Sequence, residues 1–218
     1  MARIAVIGLG RFGAHVAREA FHHGHEVLAI GIDPEAVQRL RDHATRAVVA
    51  DARDLSRLRA LRLGEEFDAV VVSLGENVEA SALIVLHLRE LGAPRIIAKA
   101  GSDDHGKLLS LIGAHEVLFP ERESAARLAM RLAAKNLFEY LPLGEAHGVE
   151  EIATPARFVG KSLAELALPD RYGSTVLAVR KAGRRELLVG PGADYVVTAE
   201  DLLVVLAPNE ALQKLQQL

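Results

Sequence analysis

The sequence predicts an α/β protein: a doubly wound parallel sheet in the first two thirds of the chain, followed by a small α+β lobe. Three observations carry this. Short apolar runs alternate with amphipathic segments. The first run leads straight into Gly-x-Gly-x-x-Gly at Ile4-Ala5-Val6-Ile7-Gly8-Leu9-Gly10-Arg11-Phe12-Gly13. The last third changes style, with shorter strands and turn-forming Pro and Gly.

The apolar runs lie at residues 3–7, 26–32, 46–50, 68–74, 95–99 and 115–118. Several are rich in Val and Ile without polar alternation, as expected of parallel strands buried on both faces. The segments between them are helical in pattern, and three end before the next strand at Leu63-Gly64, Leu91-Gly92 and Ile112-Gly113. Glycine just past a helix is the usual left-handed cap.

Residues 121–140 break the alternation. Glu123, Arg127, Arg131 and Lys135 form one polar stripe on an otherwise apolar helix, which must therefore be covered on more than one side. Two covers fit: a second domain of the same chain, or a second subunit. Residues 141–148, Leu-Pro-Leu-Gly-Glu-Ala-His-Gly, read as a linker. Beyond it, strands at 149–153, 174–181, 185–189 and 202–206 and a short helix at 162–167 make a compact unit, with a hairpin turn at Ala182-Gly183. Such a unit is small for an independent core and is expected to dimerise or lean on a neighbour.

Composition excludes several classes. Half of the 218 residues are apolar, enough for a sizeable core, yet no run approaches the ~18–20 residues of a membrane span. The first residues are too short and glycine-rich a run for a signal peptide. With no cysteine there is no disulfide framework, thiolate metal site or cysteine nucleophile, which suits the cytoplasm. A net charge of −3 offers no electrostatic reason to expect nucleic acid.

The glycine turn carries the chemistry. Gly8 permits the bend, Gly10 lets the backbone approach a pyrophosphate, and Gly13 lets the helix pack close to the strand. The helix N-terminus then attracts phosphate oxygens. A bulky residue at 13 is expected to abolish nucleotide binding in a folded protein. Arg11, beside Phe12 inside the loop, is placed for a bidentate phosphate contact. The second strand ends Ile30-Gly31-Ile32-Asp33, where a dinucleotide fold usually carries the ribose carboxylate. Asp33 either takes that role or caps the helix opening at Pro34, and the two are compatible. Asp51 and Ala52 end the third strand and can line an adenine pocket. Ser73, Gly75 and Asn77 follow the fourth strand, and Lys99 ends the fifth. All sit at the ligand-binding edge of an open α/β sheet, and each is equally a cap or turn residue. Glu121 is either a favourable first-turn carboxylate or an oxygen ligand for a cation beside phosphates. His22, His23 and His25 lie at the opposite end and lack the partners of a metal site. No triad, Gly-x-Ser-x-Gly or Walker loop is present.

The chain resembles RCK (regulator of K⁺ conductance) proteins of the Ktr/Trk type. Val6–Gly13, His25-Glu26-Val27-Leu28-Ala29 and Phe119-Pro120-Glu121 look like the RCK N-lobe, a Rossmann-like domain. Gly160-Lys161-Ser162-Leu163-Ala164-Glu165-Leu166, Tyr172-Gly173, Val176–Val179 and Glu200–Val205 are similar to the C-lobe. The resemblance implies an N-lobe over 1–140 that includes a crossover helix at about 121–140, a linker at 141–148 and a C-lobe over 149–218. It implies a cytoplasmic regulatory subunit, peripheral to the membrane through a separate K⁺-translocating subunit, with homodimers assembled into an octameric ring. ATP and ADP, or NAD(H) in some members, would share the nucleotide site and shift the ring between shapes. Arg11 would sense the terminal phosphate, and Glu121 would help bind a divalent or monovalent cation there. The family's ribose carboxylate falls on Gly31. Where C-lobes bind cyclic di-AMP, an arginine aligns near Pro169 here, with Arg171 its nearest substitute, so that ligand is disfavoured.

The main expectation is therefore a non-enzymatic, nucleotide-sensing regulator of K⁺ uptake. The alternatives are an NAD(H)-binding redox sensor and a small NAD(P)-dependent oxidoreductase. The second alternative lacks an acid–base set in the sequence.

Overall fold

The computed structural model describes every residue except 76, 134–136, 145, 182 and 185, and the chain divides into two compact units, Met1–Glu121 and Arg122–Leu218.

The first unit alternates strand and helix. Its elements are β1 Arg3–Ile7, α1 Arg11–His22, β2 Glu26–Gly31, α2 Pro34–Gln38, β3 Arg46–Val49, α3 Leu55–Ala60, β4 Ala69–Val72, α4 Val78–Glu90, β5 Ile96–Lys99, α5 Asp103–Leu111 and β6 Glu116–Leu118. The six strands form one parallel sheet in the order β3-β2-β1-β4-β5-β6. Both faces are covered, which explains why the strands do not alternate polar and apolar. Ala5, Ile7, Leu28, Ile30, Val70 and Val72 pack with Leu58, Ile84, Leu88 and Leu109 on one side. Val6, Val27, Ala29 and Val71 pack with Ala17, Val37 and Leu40 on the other. The chain reverses direction across the sheet between β1 and β4, which opens a crevice at the strands' carboxyl ends.

Two of the three expected glycine caps have left-handed backbone, Gly92 at φ +78° and Gly113 at φ +116°. Gly64 does not. There the left-handed residue is Arg62, φ 54°, and a Cβ on Gly64 would lie 1.8 Å from the Leu91 carbonyl oxygen. Glycine is needed at 64 because two loops touch, not because a helix ends.

Helix α6 spans Pro120–Ala133, followed by β7 Leu137–Leu143 and β8 His147–Ala153. The expectation of helix to residue 140 and a linker over 141–148 is thus corrected, although 134–136 and 145 lie outside the described residues. Residues 137–143 pair antiparallel with β8, from Leu137↔Ile152 to Leu143↔His147. Gly144, at φ +69°, sits in the turn. The Leu/Phe/Tyr content of 137–141 suits a pleated strand as well as a helix, and the long-range pairing decides. Pro142 is tolerated because β7 is an edge strand.

The rest of the second unit comprises α7 Leu163–Leu166, α8 Leu168–Tyr172, β9 Thr175–Lys181, β10 Leu187–Val189, β11 Asp201–Pro208 and α9 Asn209–Gln216. Its sheet is antiparallel, in the order β10-β9-β11-β8-β7. In the expected hairpin between β9 and β10, residues 182 and 185 lie outside the described residues. Ser162 and Glu165 form a reciprocal capping box at the start of α7. Ala211, Leu212 and Leu215 of α9 bury against Ile152, Leu203 and Val205. Asp201 is fully buried. It accepts from Thr198 N–H at 2.8 Å and Tyr195 O–H at 3.0 Å, and pairs with Lys181 Nζ at 2.7 Å. Burial pushes its carboxyl up, but Lys181, Thr198 and Tyr195 outweigh that and hold it below the ordinary carboxylate range. Among the described residues no helix is long and apolar enough to cross a membrane.

Candidate functional site

The turn from β1 to α1 is built by three glycines with three different reasons. Gly8 has φ +92°, and a Cβ on it would lie 2.1 Å from the Ser73 carbonyl oxygen. Its N–H donates to the Ile30 carbonyl at 2.9 Å, locking the turn onto β2. At Gly13 a Cβ would lie 2.0 Å from the Gly8 carbonyl oxygen. Both are glycine because the protein itself leaves no room. Gly10 differs. It is the N-cap of α1 at φ −70° and ψ −172°, backbone that any residue adopts, and a Cβ would meet nothing within 4 Å. The first turn of α1 has neither a side-chain cap nor an acidic residue. Its N–H groups and dipole end therefore face the open side with no anion supplied by the helix itself.

Beside this turn lies a cleft of about 510 Å³, walled by Gly8 and Gly10, by Gly31–Asp33 after β2, by Ala50–Arg53 after β3 and by Asn77 before α4. Of the sequence-expected residues, Gly8, Gly10, Asp33, Asp51, Ala52 and Asn77 come together here. Asp33 and Asn77 also cap helices. Asp33 Oδ1 accepts from Glu35 N–H at 3.0 Å, and Asn77 Oδ1 accepts from Ala80 N–H at 2.9 Å. Asp51 is gripped by Arg53 through its backbone N–H at 3.0 Å, Nε at 2.9 Å and Nη2 at 2.6 Å. Those bonds, the side-chain ones foremost, lower the Asp51 carboxyl to about 2. A Cβ on Gly31 would point at Leu9 and Val37, 3.1–3.3 Å away.

Ser73 lies elsewhere. It is buried under the glycine turn, its N–H donating to the Ile7 carbonyl at 2.8 Å, so it supports the loop from below and is not part of the cleft wall.

Arg11, Phe12, Lys99 and Glu121 make a second group at the start of α1. Lys99, at the end of β5 and only 12% exposed, bonds to the exposed Glu121 carboxylate. Its ammonium lies 6.0 Å from the centre of the Phe12 ring, at the outer reach of a cation–π contact. The bond from Lys99 lowers the Glu121 carboxyl most, helped by the Glu121 backbone N–H and, more weakly, by Arg11. Among the described residues no three His, Cys, Asp or Glu side chains converge on a metal position. One carboxylate joined by phosphate oxygens is a fit donor set for a hard cation, provided Glu121 turns partly from Lys99.

Arg39 and Arg53 also line the cleft, and sequence reasoning missed both. The available signal was Asp51-Ala-Arg53, an Asx turn that returns the arginine onto its own carboxylate. The histidine loop is structural: His25 Nδ1 accepts from Ala2 N–H at 3.1 Å, and His23 Nδ1 meets the Glu19 carbonyl at 2.8 Å. Ser81 Oγ and His105 Nε2 are 2.7 Å apart, but both are buried. Ser81 also donates to the Val78 carbonyl and His105 Nδ1 accepts from Gly101 N–H, so the pair holds α4 to α5.

The model of the TrkA-N domain matches residues 4–120 and that of the TrkA-C domain matches residues 149–218. Ktr system potassium uptake protein C of Bacillus subtilis (strain 168) is 40% identical over 93% of this chain and 90% of its own length. Ktr system potassium uptake protein A of the same organism is 33% identical over 98% of this chain and 95% of its own. Among solved structures, the GsuK channel bound to NAD has a TM-score of 0.69 at 22% identity, over 99% of this chain and 39% of that one. This chain thus spans less than half of that channel, and the likeness is one of fold. The NAD(P)-binding domain of an exopolyphosphatase-related protein from Archaeoglobus fulgidus has a TM-score of 0.54 at 26% identity, over 61% of this chain and 98% of that one.

Proposed function

This chain belongs to the family of TrkA-N and TrkA-C domain proteins, and from that premise we propose that it is the cytosolic, nucleotide-sensing regulatory subunit of a potassium uptake system. The observation that carries the reading is Gly10. Its bareness is required by nothing within 4 Å in the protein, and it stands at an uncapped helix N-terminus beside the cleft. A pyrophosphate against that backbone accounts for it. The adenosine lies between the ends of β2 and β3, with Asp33 or Asp51 as polar partners. The terminal phosphate reaches Arg11 and Lys99, and Glu121 would help hold a cation that offsets the phosphate charge there. Relatives named as Ktr system potassium uptake proteins support a membrane-embedded K⁺-translocating subunit as the partner, with this chain at the inner membrane face.

Binding acts by favouring one of two assembly shapes. The assembly is a homodimer joined through α6 and multiplied into an octameric ring. In support, Leu128 and Leu132 of α6 are 52% and 78% exposed in the single chain, a face that a second subunit would cover. Residues 1–121 form the nucleotide lobe, α6 is the connecting helix, and β7 from Leu137 onward belongs with the second lobe, for which cyclic di-AMP is a disfavoured ligand. A non-enzymatic role is supported by relatives named as potassium uptake proteins.

Calorimetry with ATP, ADP and NADH, run with light scattering, tests the reading. Micromolar binding of at least one nucleotide to an oligomer is expected, and a strict monomer that binds none overturns it. A second reading is an NAD(H) sensor, favoured by the likeness to an NAD(P)-binding domain. NADH binding far tighter than ATP binding would select it.

A further inference from the structure

In an open dinucleotide-binding sheet, chemistry at the end of the second strand selects the ribose: a carboxylate takes the free hydroxyls, while its absence together with a nearby arginine admits a phosphate. Here the strand-end position is Gly31, and its missing Cβ would face Leu9 and Val37. The two carboxylates left in the cleft are engaged. Asp33 Oδ1 accepts its cap from Glu35 N–H, and Asp51 is bound by Arg53 Nε and Nη2. Two arginines line the same cleft, Arg39 and Arg53. Among the described residues Arg39 is held by a 3.9 Å contact to the strongly exposed Glu35, and Arg53 keeps Nη1 outside its bonds to Asp51. A phosphate dianion is a stronger acceptor than a solvated carboxylate at that distance.

We infer that the ribose end of the cleft accepts a phosphate, so that the preferred adenine nucleotide carries one on its ribose, held by Arg39 and Arg53. The inference rests on the cleft being a nucleotide site, as proposed above. The phosphate has two sources, a 2′-phosphate as in NADP(H) or a 3′-phosphate as in adenosine 3′,5′-bisphosphate, and the same arginines could receive either.

The test compares matched pairs by calorimetry on the full chain: NADP⁺ with NAD⁺, and adenosine 2′,5′- and 3′,5′-bisphosphate with AMP, with ATP as the control for the cleft itself. At least one ribose-phosphorylated member is expected to bind about tenfold more tightly than its partner, one added charge-assisted contact. Which isomer gains identifies the source. Arg39→Gln should cut that preference severalfold, and Arg39→Gln with Arg53→Gln should abolish it. Gly31→Asp should reverse it towards NAD⁺. Because its Cβ crowds Leu9, the arginine variants carry the conclusion if that protein melts early. Binding of ATP and AMP with equal or weaker binding of every ribose-phosphorylated partner overturns this inference and leaves the nucleotide site standing. Binding of no nucleotide overturns both.

Discussion

Replacing Gly10 by alanine separates the needs of the ligand from the needs of the fold. At φ −70° and ψ −172° alanine is unstrained, and its Cβ meets nothing within 4 Å. Loss of unfolded-chain freedom favours the variant by about 0.4–1 kcal/mol. Alanine is a poorer N-cap by a comparable amount, so net stability should stay within about 1 kcal/mol of the parent. Nucleotide binding should not survive so well. The added methyl stands between the α1 N–H groups and the pyrophosphate, and each hydrogen bond to a charged group is worth about 1.5–3 kcal/mol. Losing one raises Kd roughly 10–150-fold. Calorimetry with ATP and ADP on samples whose melting is recorded by circular dichroism reads both quantities. Gly13→Ala is the contrasting case. Its Cβ would lie 2.0 Å from the Gly8 carbonyl oxygen, so the turn must move. Overpacking at or above the usual ~1–3 kcal/mol then lowers Tm by several degrees in a protein that still folds. Parental affinity in Gly10→Ala would refute the placement of phosphate on this helix.

Four further outcomes follow from the geometry. Arg11→Ala should shrink the preference for ATP over ADP by about tenfold, read from paired titrations, since one charge-assisted phosphate contact is removed. Arg53→Ala should return the Asp51 carboxyl from about 2 towards 3.8, followed by carboxylate NMR across an acid titration. Burial holds His105 below its ordinary 6.5. As pH falls below about 6.5 the unfolded chain takes up a proton that the native imidazole refuses, so stability declines until the lowered native pKa is passed. Urea unfolding should show this slope, and His105→Gln should flatten it. Asp201→Ala strands the Thr198 N–H and the Lys181 ammonium and should cost about 3 kcal/mol by chemical denaturation. That is the low end for a broken pair, because Lys181 is partly exposed and can rehydrate.

Legibility in the sequence followed locality. β1 to β6 lie where Val/Ile-rich runs place them, because burial on both faces demands contiguous apolar residues. The glycine turn was equally readable, since left-handed φ at Gly8 and close approach at Gly13 exclude other side chains. The strand at 137–143 was not readable. Leu137-Phe138-Glu139-Tyr140 suits two conformations, and only pairing with β8 chooses between them. Ser73 read as a cleft residue because it ends a strand at the correct edge, yet it is buried beneath the loop.

The sequence by itself determined the doubly wound sheet, the phosphate-ready helix start and the lack of a strand-end carboxylate at Gly31, all consequences of backbone conformation and nearest-neighbour pattern. Only the tertiary structure decided that Gly10, unlike Gly8 and Gly13, is bare for no reason internal to the protein. It alone set Lys99 against Glu121 across 22 residues, and turned Arg39 and Arg53 into the same cleft. Those facts depend on which loops the sheet gathers at its carboxyl edge, and residues distant in the chain carry no local signal of meeting there.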